Sequence, residues 1–87
     1  MSRTVDEKLR YNEQQNTMFS TGYTIGIKNY RNYPKSSDET KRNIDAIIRA
    51  ARAGTKDPEI DKEMKQLYKG ILCGCRDAAN ERKNGKK

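Results

Sequence analysis

Two stretches of this chain carry a glycine pair at helical spacing in matching surroundings, Phe19 to Asn32 (FSTGYTIGIKNYRN) and Leu67 to Asn80 (LYKGILCGCRDAAN). Both follow the pattern apolar-x-x-Gly-x-x-x-Gly-x-basic-Asx-x-x-Asn. Gly22 aligns with Gly70, Gly26 with Gly74, Lys28 with Arg76, Asn29 with Asp77 and Asn32 with Asn80. A glycine inside a helix costs about 0.5–1 kcal/mol relative to alanine, so four cost about 2–4 kcal/mol in a domain whose whole stability is on the order of 5–10 kcal/mol. Small-x-x-x-small faces offset such a cost by letting two helix backbones approach closely. The expectation is that two helices cross at these glycines, about an approximate two-fold within one chain or between copies in a dimer. Phe19, Gly22, Gly26, Leu67, Gly70 and Gly74 form the packing or oligomer interface. The competing use of such a notch is to admit a ligand's backbone, phosphate or ring.

The chain has 87 residues, a single domain that buries only about 60–65 per cent of the surface its unfolded form exposes. Leu, Ile, Val and Phe together number twelve, below the roughly 20 per cent under which a highly charged chain is expected to be disordered. Two well-capped amphipathic segments argue against disorder, so the expectation is a thin helical core supported by copies of itself or by a partner. The formal charge is +7, but Arg82, Lys83, Lys86 and Lys87 supply much of it. The body up to residue 81 is nearly balanced, with 15 basic and 12 acidic groups. That is a weaker electrostatic footprint for nucleic acid than the total charge implies. No stretch reaches the roughly 18 apolar residues of a membrane span and no apolar signal segment opens the chain, so a cytoplasmic protein is expected.

The spacing predicts an all-α bundle of three main helices at about 17–33, 37–53 and 58–82, with a short helix before them and oligomerisation. Residues 1–82 form the domain and 83–87 a flexible basic tail. Ser36 and Glu39 have the form of a capping box for the middle helix. Its apolar stripe is Ile44, Ile47, Ile48 and Ala51, and Gly54 is expected to end it in the left-handed conformation. Asp57 as N-cap and Pro58 at the first helical position open the last helix, whose stripe is Ile60, Met64, Leu67, Ile71, Gly74 and Ala78. In the first third, Val5, Phe19, Gly22, Tyr23, Gly26, Tyr30 and Tyr33 share a stripe interrupted at Asn12, Gln15 and Asn16, which suggests a turn. Tyr33 precedes Pro34 and is pushed out of helical geometry.

Lys28-Asn29-Tyr30-Arg31-Asn32-Tyr33 interleaves cations with aromatics, the ingredients of phosphate contact and base stacking. Lys41, Arg42, Arg49 and Arg52 lie on the face of the middle helix away from the isoleucines, with Asp38 and Asp45 among them, and the three arginines form a second set of anion or partner contacts, with Arg76 a further candidate. Against these stand a helix end carrying dipole-matched cations and an ordinary charged outer face. Related by a two-fold, Lys28 and Arg76, Asn29 and Asp77, and Asn32 and Asn80 would frame the ends of one shared groove. Cys73 and Cys75 point about 200° apart on a helix and are expected to be free thiols in a reducing compartment. With no histidine and no further cysteine, no metal site and no cofactor are expected. No nucleophile turn, phosphate loop or carboxylate pair supports an enzyme.

In size and composition the chain looks like the accessory proteins of bacteriophages and other mobile elements. The function expected is a small non-enzymatic helical binding protein, an inhibitor or adaptor docking on a host protein or complex. The alternative is an anion-binding protein that recognises nucleic acid or a nucleotide through Arg, Lys and Tyr. Steep loss of affinity with salt would mark the second.

Overall fold

A computed structural model describes residues 4–85, and they are all helical apart from short connections. Four α-helices are present, α1 (Val5–Gln14), α2 (Met18–Arg31), α3 (Asp38–Lys56) and α4 (Lys62–Gly85), with a 3₁₀ turn at Tyr33–Lys35 between α2 and α3. The expected short first helix is therefore a full element, and three main helices become four. The chain forms two helical hairpins, α1–α2 and α3–α4. Their second helices, α2 and α4, make the central and most extensive contact of the molecule. The result is flat, 42 × 34 × 18 Å.

α1 begins at a capping box: the Thr4 hydroxyl accepts from the Glu7 amide, and the Glu7 carboxylate accepts from the Thr4 amide. The polar interruption is a real break. Gln15 is the C-cap of α1 and Thr17, whose hydroxyl accepts from the Ser20 amide, is the N-cap of α2. α2 ends at Arg31 because Asn32 and the Tyr33-Pro34 step cannot continue it, and the chain tightens into the 3₁₀ turn.

Three expected boundaries shift. The N-cap of α3 is Ser37, bonded by the Thr40 amide at 3.2 Å, while the Ser36 hydroxyl donates to the Asn32 carbonyl of the preceding turn. Gly54 is no left-handed cap: no described glycine has positive φ, and α3 runs on to Lys56. Its missing side chain makes room for the Tyr68 ring of α4, which a Cβ there would strike. Asp57-Pro58 does not open the last helix. The Asp57 carboxylate accepts from the Glu59 amide at 2.9 Å in a local turn, and α4 starts four residues later, with the Asp61 carbonyl taking the first backbone bond. At the other end α4 continues through Lys83 to Gly85, and Lys86 and Lys87 of the expected tail lie outside the described residues.

α2 and α4 run parallel and meet at the four glycines within one chain. A Cβ on Gly22 would collide with the Leu67 carbonyl oxygen and lie 2.9 Å from the Ile71 amide nitrogen. One on Gly70 would collide with the Phe19 carbonyl oxygen and lie 2.8 Å from the Tyr23 amide nitrogen. The second pair repeats the relation. Gly26 faces Ile71 and Cys75, Gly74 faces Tyr23 and Ile27, and a Cβ on either would be 3.1 Å from the Cα of the other. Each contact maps onto its counterpart by a constant shift of 48 residues, so the sequence match is a local two-fold about the crossing. Around it close Tyr23, Ile27, Ile71, Cys75 and Ala78, with Ile44 and Ala51 from α3. Ile27 is the one large side chain among them with no exposed surface.

Candidate binding face between α3 and α4

The notch is filled by the partner helix's own backbone, so it holds no ligand. The shared polar groove predicted from the repeat does not form either. A two-fold places equivalent residues on opposite sides of its axis. Lys28 accordingly faces α1, pairing with Glu13 at 3.3 Å, whereas Arg76 faces α3. Asn29 bonds the Ile25 carbonyl of its own helix, while Asp77 accepts from the buried Tyr23 hydroxyl at 2.6 Å and pairs with Lys8 at 3.6 Å.

The Lys28–Tyr33 run is largely consumed by internal contacts. Arg31 forks onto both carboxylate oxygens of Glu81, at 2.8 and 2.7 Å, and also reaches Asp6 at 2.7 Å. That fork holds the Glu81 carboxyl below its ordinary pKa. The Tyr30 ring lies 4.9 Å from the Tyr33 ring and carries the Arg82 guanidinium at 4.7 Å. Arg82 also donates to the Tyr30 carbonyl. Tyr33 donates its hydroxyl to Asp45 and has Lys41 over its ring at 5.7 Å. The hydrogen bond to Asp45 raises the Tyr33 phenol above its usual pKa. Each ring already has neighbours, Tyr30 the Tyr33 ring and Arg82, Tyr33 the Tyr30 ring and Lys41. For Tyr23, burial first and the Asp77 bond second hold the phenol protonated well above its ordinary range.

Four predicted cations remain available. Arg42, Arg49, Arg52 and Arg76 are exposed and form no ion pair among the described residues. Arg76 has only a 3.7 Å contact to the Cys73 sulfur. Arg52 on α3 and Arg76 on α4 stand at the rim of a groove of about 380 Å³. Its walls are Tyr30, Ile48, Leu72, Cys75 and Ala79. The groove lies where α3 leans on α4, with Ala51, Ile48 and the Gly54–Tyr68 contact as the seam, and Tyr30 of α2 closes one side. Sequence reasoning missed Ile48, Leu72, Cys75 and Ala79 as site residues. The signal was present: Leu72, Cys75 and Ala79 fall at i, i+3 and i+7, a second apolar stripe on α4 beside the glycine stripe.

Chemically the face can bind anions and apolar groups, and nothing in it activates a nucleophile. Cys75 is buried with its sulfur 3.8 Å from the Gly26 carbonyl oxygen, and burial pushes its thiol pKa up, away from the reactive thiolate. Among the described residues no helix is long and apolar enough to cross a membrane. Comparison with protein-family models, with curated proteins and with solved structures finds no match.

Proposed function

We propose that this chain is a small non-enzymatic binding protein that docks on a protein partner through the α3–α4 face, acting on it as an inhibitor or adaptor. The observation that carries the proposal is the sorting of charges. Arg31 and Lys28 are held by internal carboxylates, while Arg42, Arg49, Arg52 and Arg76 are left for something outside the described chain. Arg52 and Arg76 stand at the rim of an apolar groove, the combination of polar rim and apolar centre that protein interfaces use, and Arg42 and Arg49 lie further along α3. The thin core supports self-association as a further part of this proposal, since a fold with so few fully buried side chains gains stability from any bound surface.

Phosphate recognition would use the same arginines and is the second reading. It is weakened by the engagement of Tyr30 and Tyr33 with each other and with Arg82 and Lys41, which leaves less ring surface for stacking. The two separate in a co-purification from the natural source after nuclease treatment, with wild type beside R42Q/R49Q/R52Q. The proposal expects a protein retained after nuclease at moderate salt and lost with the variant. Retention of nucleic acid alone, released steeply by salt, would replace it with the phosphate reading.

A further inference from the structure

We infer that the α3–α4 groove receives an acidic amphipathic segment of the partner: an aliphatic or aromatic anchor residue inside, with carboxylates on either side meeting Arg52 and Arg76. The inference rests on the protein-docking proposal and adds the chemistry of what is docked. The groove, at about 380 Å³, falls in the lower part of the roughly 300–1,000 Å³ range of ligand pockets, a size suited to side chains and not to a folded surface. Its interior offers Ile48, Leu72 and Ala79, which suit an apolar side chain.

The charges outside the groove extend the pattern. Arg42, Arg49 and Arg52 fall at i, i+7 and i+10 of α3, a stretch about 15 Å long at the helical rise, with Asp45 between the first two. Guanidinium forks match carboxylates in two parallel hydrogen bonds. Phosphates have the same geometry, but a polyphosphate backbone finds apolar walls where its sugars would lie. An amphipathic segment laid into a groove between two helices satisfies both the arginines at the rim, Arg52 and Arg76, and the walls.

The test is selection of a random 16-residue peptide library on the intact chain, followed by fluorescence anisotropy with each enriched peptide. Enriched peptides should carry two or more Asp or Glu within two helical turns of a Leu, Ile, Phe or Trp. Their affinity should fall at least tenfold for R52E/R76E and for replacement of the anchor by Ser. Peptides with Lys in place of Glu should recover binding to R52E/R76E, which a misfolded variant could not provide. No enrichment, or equal binding by acidic peptides lacking an anchor, would overturn the inference, as would displacement of the peptides by a single-stranded oligonucleotide. If the natural partner is captured equally by R52E/R76E, docking stands and the groove is the wrong address. If no protein is captured at all, the docking proposal itself fails.

Discussion

At Gly22 and at Gly70 a methyl group would meet a backbone carbonyl, which cannot rotate away as a side chain can. Alanine is the better helix former by about 0.5–1 kcal/mol, yet relieving the collision requires the helices to separate, and overpacking of that kind costs about 1–3 kcal/mol. G22A and G70A should therefore both destabilise, by about 1–2 kcal/mol net, and by similar amounts because the two-fold gives them the same surroundings. G54A, whose neighbour is the movable Tyr68 ring, should cost less. Urea denaturation of the three variants checks the order. Equal or raised stability of G22A would mean that the crossing is looser than described. These glycines were legible in the sequence because a repeated residue type at i and i+4 records a steric need directly. Gly54 was misjudged for the opposite reason: its reason for being glycine is Tyr68, fourteen residues on, and nothing local distinguishes that from a helix cap.

Among the elements, α1 is attached differently from the rest. It has no buried residue, and Val5 and Leu9 are only half-buried. It is tied to α2 and α4 by Asp6–Arg31, Lys8–Asp77 and Glu13–Lys28, whose α1 side chains are 41 to 65 % exposed. Exposed pairs contribute about 0.2–1 kcal/mol each and are screened when the Debye length shrinks to about 3 Å at 1 M salt. Amide exchange in α1 should accelerate several-fold between 0.05 and 1 M sodium chloride while α2 and α4 hold. Unchanged exchange in α1 would assign its docking to Val5 and Leu9 instead. The same ion pairs explain why the Lys28–Tyr33 run misled. Composition showed cations and aromatics side by side, but the acids that engage them, Glu13, Asp45 and Glu81, come from three other helices. Only the tertiary arrangement brings them there.

As a whole the molecule is a flat pair of hairpins joined by backbone contact, with Arg31 and Lys28 held by internal acids and Arg42, Arg49, Arg52 and Arg76 turned outward. The all-helical class and the glycine crossing could be read from periodicity and the repeat. The groove could not, because it arises from where α3 rests on α4. The glycine crossing is satisfied inside one chain, so any self-association must use another surface, and the exposed Ile47 of α3 is one apolar residue free to take part. The central claim is that the outward arginines serve a protein partner. Native mass spectrometry of the chain purified gently from cells that express it naturally tests this directly, because it reports assembly state and bound mass together. The proposal predicts a discrete complex with an acidic protein that survives nuclease and is absent for R42Q/R49Q/R52Q. A particle carrying nucleotide or nucleic-acid mass and no second protein would contradict it.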